Sequence, residues 1–135
     1  MNKPYKLEFK VRDYELDLQG IVNNSNYQRY LEHARHEFLS EKKIDFAGLH
    51  LQGIDLIVTR IEMDYKTPLK SRDEFYVTVE PKRDGNLRIV FEQNIFRKPD
   101  NKPVVTAKVT GICLRDGRPV KPESVIDLSE LGIEE

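Results

Sequence analysis

Cysteine and tryptophan are nearly missing from this chain of 135 residues, which has one Cys and no Trp. A lone Cys113 excludes an internal disulfide framework and any multi-cysteine metal site. Charge of one sign is lacking too. With 22 basic and 23 acidic side chains the formal net charge is −1, so no diffuse positive field is available for nucleic acid or an anionic membrane. Long apolar runs are absent, and nothing approaches the roughly 18 consecutive apolar residues of a membrane span. The opening MNKPYKLEFKVR alternates charged with apolar residues and lacks the apolar core of a secretory signal. These absences set the expectation of a cytoplasmic protein with no nucleic-acid or membrane partner.

What is present is enough for a core. The 13 Leu, 10 Ile, 11 Val and 6 Phe are about 30% of the chain, above the roughly 20% below which a charged chain tends to stay unfolded. The length suits one domain over residues 1–135. Tyr5, Leu7, Phe9 and Val11 alternate with Lys6, Glu8, Lys10 and Arg12, a half-buried strand. The period then changes. Tyr27, Tyr30, Leu31, Ala34 and Phe38 form one stripe of an amphipathic helix, with Asn23, Asn24 and Ser25 as N-cap candidates. The helix should fade after Lys43, and Gly48 and Gly53 mark a loop.

Strand patterns fill most of the remainder. Asp55 to Tyr65 is rich in β-branched residues and Pro68 ends it. Phe75, Val77 and Val79 form an apolar row, and Asp84-Gly85 reads as a two-residue hairpin turn. Leu87, Ile89, Phe91 and Ile95 return, Pro99-Asp100-Asn101 turns, and Val104 to Leu114 runs back. A Pro-punctuated tail allows one helical turn over 122–126. The order is strand, one long helix, then four strands: an antiparallel α+β domain. One helix covers one face of five strands, so the other face or an exposed edge calls for a partner, and a homo-oligomer is expected.

Chemistry points to the stretch between the first strand and the helix. Asp17 is an acid shortly before a helix N-terminus, whose unpaired amides and partial positive charge suit a carbonyl oxygen gaining negative charge. Gly20 allows either a turn or close approach of backbone to a ligand. A carboxylate facing a polarised carbonyl can attack it or activate water, as hydrolysis of an activated acyl group requires. On spacing alone, Asp-x-x-Gly before a helix is usually a turn, and the Asn pair more often a cap than a ligand-orienting group.

The run VRDYELDLQGIVNNSNYQRYLEHAR resembles the opening of hotdog-fold acyl-CoA thioesterases of the 4-hydroxybenzoyl-CoA thioesterase type. Asp17, Gly20, Val22, Asn23, Tyr27, Tyr30, Glu32, Ala34 and Arg35 match that pattern in place. The resemblance implies a hotdog fold, a five-stranded antiparallel sheet wrapped around one long central helix, working as a homodimer or homotetramer with sites at subunit interfaces. It implies Asp17 as nucleophile or general base, and the backbone amide of Asn24, or alternatively of Ser25, as the oxyanion donor. Gly20, Val22, Asn23 and Tyr27 would bind substrate. No metal or organic cofactor is implied, because CoA is part of the substrate. Ile21 stands where many relatives have His, and Asn24 where some aryl-CoA members have Tyr. Val22 to Tyr27 is also similar to acyl-carrier-protein thioesterases, which makes a carrier-protein thioester the alternative substrate. A non-catalytic acyl-CoA-binding module is the other alternative.

The remaining polar residues carry weaker signals. The hairpin cations Lys82, Arg83 and Arg88, with Arg60 in the second strand, can meet CoA phosphates, although solvated hairpin charges and pairing with a neighbouring acid explain them as well. Glu32 lies roughly 140° around the helix from Tyr27 at about 100° per residue, away from the core stripe. His33 and His36 are expected to be exposed, His50 to lie in a loop, and the three share no metal-ligand spacing. None is near the helix start, where the hotdog dehydratases carry their catalytic His. Cys113 reads as a small buried apolar residue.

Overall fold

A computed structural model describes residues 4–133. The chain begins with β1 (Tyr5–Lys10), passes a 3₁₀ turn at Asp13–Glu15, and enters α1 (Asn24–Glu41). After α2 (Phe46–Leu51) come β2 (Ile54–Tyr65), β3 (Glu74–Asp84), β4 (Arg88–Arg97), β5 (Lys102–Arg115) and β6 (Arg118–Val120). The sheet runs β1-β3-β4-β5-β2, every pairing antiparallel. Short β6 pairs with β5 beyond the point where β4 ends, through Cys113–Val120 to Arg115–Arg118. No helix among the described residues is long and apolar enough to cross a membrane.

The helix forms where the 3.6-residue period predicts it, because Tyr27, Tyr30, Leu31, Ala34 and Phe38 share a stripe that the sheet buries. Leu31 and Ala34 have no exposure, and neither do Phe75, Val77 and Ile95 facing them. Burying the Leu, Phe, Val and Ile side chains among these contributes about 1.5–3 kcal/mol each. Phe9 and Phe75 stack with centroids 5.1 Å apart, and Tyr30 tilts against Phe75 at 4.7 Å. With no Trp to fill space, phenyl rings thicken the core at the β1 end.

Three local expectations need correction. Residues around Gly48 form α2 instead of a loop: one glycine is tolerable in a short helix, and a Cβ at position 48 would meet Asp45 Oδ2 at 2.6 Å. The β3–β4 hairpin is not a two-residue turn. Asp84 stays in the ladder opposite Arg88, so Gly85, Asn86 and Leu87 form the loop and positive φ falls on Gly85 alone, at 70°. The sheet has six strands, not five, because the tail past the Asp116-Gly117 turn folds back as β6.

One row across the outer sheet face is charged. Glu62, Lys108, Glu92 and Glu80 lie in register across β2, β5, β4 and β3, and Lys82 pairs with Glu92 at 2.5 Å. Exposed apolar side chains concentrate instead on edge strand β2, where Val58, Ile61 and Tyr65 are 45%, 39% and 51% exposed. These three share the helix-side face of β2, being opposite the inward Gly111, Val109 and Val105 of β5. Apolar surface is therefore left uncovered at the β2 end of the concave face, while Ile57, 42% exposed and opposite Ile112, lies on the other face of the same strand.

Candidate active site

The segment between β1 and α1 is a miniature hairpin. Leu16 bridges Val22, Asp17 donates its amide to Ile21 O at 2.8 Å, and Gly20 N returns to Asp17 O at 3.1 Å. Gly20 sits at φ 79°, with nothing within 4 Å of a Cβ built there, so the residue serves the turn and leaves open space above it. Asp17 Oδ1 accepts the amides of Gln19 (2.8 Å) and Ile21 (3.4 Å). Those bonds orient the half-buried carboxylate and leave Oδ2 without a hydrogen bond among the described residues.

The helix start is equally defined. Asn23 is the N-cap, and its Oδ1 accepts both the amide and the hydroxyl of Ser25 at 3.0 Å. That occupies the Ser25 amide. The Asn24 amide has no acceptor among the described residues and stays exposed. Of the two backbone donors expected here, Asn24 is thus the open one.

Glu15, which sequence reasoning passed over, ties the hairpin to the helix. Its carbonyl accepts Asn23 N (2.9 Å) and Asn26 Nδ2 (2.8 Å), while Oε1 accepts Arg12 N (2.7 Å) and the Tyr30 hydroxyl (2.8 Å). The Arg12-to-Glu15 spacing is that of a capping-box acid, the signal that could have found it. Burial and the adjacent Glu15 push the Tyr30 phenol well above its ordinary range.

Val22 and Tyr27 are sealed in the core at 1% and 3% exposure, whereas Gly20, Asn23 and Asn24 face outward. The Tyr27 hydroxyl accepts Leu69 N at 3.0 Å and Leu69 O accepts Val22 N at 2.9 Å, so residue 69 is clamped between the hairpin and the helix. Ile21 bridges Lys70, which places the Asp17 hairpin at the N-terminal end of β3. At about 3.3 Å per residue, Lys82 and Arg83 lie some 25–30 Å away along that strand.

Those hairpin cations are paired within the protomer. Arg83 binds Glu123, Lys82 binds Glu92, and Arg60 meets Glu62 at 3.3 Å. Arg88 is exposed opposite Asp84. The structure therefore joins Asp17, Gly20, Val22, Asn23, Asn24, Ser25 and Tyr27 in one locus and sets Lys82, Arg83 and Arg88 apart from it. Glu32, His33, His36 and His50 are exposed, while Cys113 is buried and its thiol is pushed up to about 11 by desolvation. No cluster of three or more His, Cys, Asp or Glu among the described residues is arranged to hold a metal ion.

A curled antiparallel sheet around one helix, with a carboxylate-bearing turn leading into that helix, places the molecule in the hotdog-fold thioesterase class. The model of the thioesterase-like superfamily matches residues 11–127, and the chain belongs to that superfamily. It is 37% identical over 127 residues to the chloroplastic acyl-acyl carrier protein thioesterase ATL3 of Arabidopsis thaliana, covering 93% of this chain and 67% of the relative. A second such protein, ATL2, matches at 37% identity over 82% of this chain and 58% of its own length. The chain thus spans about three-fifths to two-thirds of those plant proteins. The long-chain acyl-CoA thioesterase FadM of Escherichia coli is 29% identical, with 79% and 80% of the two chains covered. Among solved structures, a hypothetical protein from Aquifex aeolicus superposes with a TM-score of 0.84 at 30% identity, covering 95% of this chain and 99% of its own.

Proposed function

We infer that the protein hydrolyses acyl-CoA thioesters to free acid and CoA. The observation that carries this reading is the pairing of an oriented carboxylate, Asp17, with an open backbone amide, Asn24, on two segments locked together by Glu15. Asp17 Oδ2 attacks the thioester carbon to give a mixed anhydride, which water then hydrolyses to the free acid and the regenerated carboxylate. Alternatively, it takes a proton from a water that attacks the carbon directly. The carbonyl oxygen gains charge toward the Asn24 amide and the positive end of α1, the C–S bond breaks, and the thiolate leaves to be protonated. Gly20 and Asn23 border the carbonyl, and Val22 and Tyr27 form the floor beneath it. No metal or organic cofactor enters these steps.

The substrate reaches its site at a boundary between two copies of the chain. Leu18 beside Asp17 is fully exposed, and the apolar row on β2 lies uncovered. Both are surfaces that a second protomer would bury, giving a homodimer or a tetramer built from it. In such an assembly the hairpin cations of one copy, Arg88 first, can serve the CoA phosphates bound over the Asp17 of another.

The test is thiol release over an acyl-CoA panel by wild type and Asp17→Asn. A loss of kcat of about 10²-fold or more is expected from removing the base or nucleophile, and equal rates would remove Asp17 from the mechanism. A second reading is favoured by the 37% identity to acyl-carrier-protein thioesterases: the thiol carrier is a protein. A higher kcat/KM on acyl-carrier protein than on the matching acyl-CoA would select it. Tight acyl-CoA binding without turnover of either would leave a binding module.

A further inference from the structure

A buried cation sits on the helix with no ion-pair partner among the described residues. Arg35 is 7% exposed, and its only hydrogen bond among the described residues runs from Nη1 to Gln93 Oε1 at 3.0 Å. Gln93 has no exposure and spends its own amide on Leu31 O at 3.0 Å. A guanidinium has five N–H donors, so most of its capacity is unused. Nε and Nη2 bond to nothing among the described residues, yet neither is sealed off. Desolvation pulls the guanidinium pKa down, and exposed Glu32 on the same helix opposes that only in part. A buried charge with one neutral partner is costly unless something else meets it.

The space beside Arg35 is a narrow cavity of about 70 Å³, bordered by Leu39, Phe46, Leu56, Phe91 and Cys113. That is far below the roughly 300 Å³ of a site enclosing a whole small-molecule ligand, so it suits the end of one. Val58 stands at its rim. From there the exposed row Val58, Ile61, Tyr65 follows β2 back to Tyr27, whose ring lies 5.7 Å from that of Tyr65. An apolar track thus connects the Asp17 locus with the Arg35 cavity. Asn24 and Arg35 are 11 positions apart on α1, about 16 Å at 1.5 Å per residue, a span that a medium or long acyl chain can cross.

We propose that Arg35 is a specificity-determining residue that accepts an oxygen-bearing acyl tail, the chain lying along β2 and its distal hydroxyl or carboxylate accepting hydrogen bonds from the guanidinium in the cavity. This rests on the acyl-thioester reading above and adds the tail chemistry to it. A plain hydrocarbon end would leave the donors unmet, whereas an acceptor oxygen forms a charge-assisted bond.

Wild type and Arg35→Met are compared on lauroyl-CoA, ω-hydroxylauroyl-CoA and the mono-CoA thioester of dodecanedioic acid. The expected wild-type kcat/KM is at least about tenfold higher for an oxygenated tail, the size of one good charge-assisted contact, and the ratio falls to near one in Arg35→Met. Equal kcat/KM on all three in wild type overturns the proposal. So does a preference that Arg35→Met retains. If Arg35→Met fails to fold, Val58→Trp at the exposed rim takes its place and must lose the same preference. Should no thioester be hydrolysed, the hydrolase reading fails separately. The cavity is then judged by competition of lauric, ω-hydroxylauric and dodecanedioic acids against a fluorescent fatty acid, where equal binding overturns it. A weakened oligomer in Arg35→Met, together with no tail preference in wild type, assigns the guanidinium to a subunit contact and also overturns it.

Discussion

The Tyr30 hydroxyl donates to Glu15 Oε1 at 2.8 Å, joining the second turn of α1 to the 3₁₀ turn just ahead of Asp17. Because Glu15 also holds Asn23 and Asn26 through its carbonyl, one residue fixes the spacing between the candidate carboxylate and the helix amides. The bond is half sheltered by Phe9 and Phe75, so water competes with it poorly. The geometry of the Asp17 locus is a product of packing on the β1 side of the core.

Tyr30→Phe should cost about 1.5–3 kcal/mol, the range for hydrogen bonds to charged groups. The cost is pH-dependent. The folded-state phenol pKa is raised above its ordinary 10, so the protein binds that proton more tightly than the unfolded chain does. Its contribution is complete below pH 10 and is lost as pH rises beyond it. Urea melts at pH 8 and near pH 11 should show the wild-type advantage over Tyr30→Phe shrinking at the higher pH. A constant gap would separate Tyr30 ionisation from stability.

Tyr27→Phe removes the acceptor of the Leu69 amide, a backbone N–H in a residue with no exposure. An unmet buried donor costs about 1–3 kcal/mol, seen as a Tm lowered by several degrees. Since Leu69 also holds Val22, amide exchange should quicken at Val22 as well as at Leu69. Unchanged exchange at Val22 would uncouple the clamp from the hairpin.

Most of this architecture was legible because two periods dominate. Tyr5 to Val11 alternates strictly, and Tyr27 to Phe38 keeps a helical stripe, so neither required tertiary information. Gln93 was legible in principle, as the polar residue at an inward position between Phe91 and Ile95, yet what it serves depends on Arg35 from a helix 58 residues earlier. The Asp84-Gly85 turn misled because a two-residue loop and a three-residue loop share the same glycine; the register across β3 and β4 decides between them. The Asp17 locus was found by resemblance. Its Asx-type bonds to Gln19 and Ile21 are local, but Glu15 becomes important only when Tyr30 and Asn26 come round to meet it.

Arg83 reaches from β3 to Glu123 in the C-terminal segment and fastens that segment to the sheet. The hydrogen bond from Arg83 holds the Glu123 carboxyl below its ordinary 4.5. A depressed carboxylate stabilises the fold above that value and ceases to do so as pH falls through the folded pKa. Wild type should therefore melt above Glu123→Gln at pH 7, and the Tm difference should shrink steadily as pH drops below about 4.5. Differences that persist in strong acid would mean that Glu123 acts through shape and not charge.

Edge strand β2 sets the final expectation. Ile61 is 39% exposed between Val58 and Tyr65 on a strand with no neighbour on its outer side among the described residues, an arrangement that soluble monomers avoid with charges. Its neighbour Arg60 is paired to Glu62 and so does little to repel a second copy. Ile61→Lys places a charge where two β2 edges would meet, at little cost to a protomer that already exposes the side chain. Sedimentation velocity should show an oligomer for wild type and a folded monomer for Ile61→Lys, with kcat lost in the same step if, as proposed, a second chain closes the site over Leu18 and the β2 track. A monomer that keeps full activity would place the whole site within one protomer, and an unaltered oligomer would move the interface away from β2.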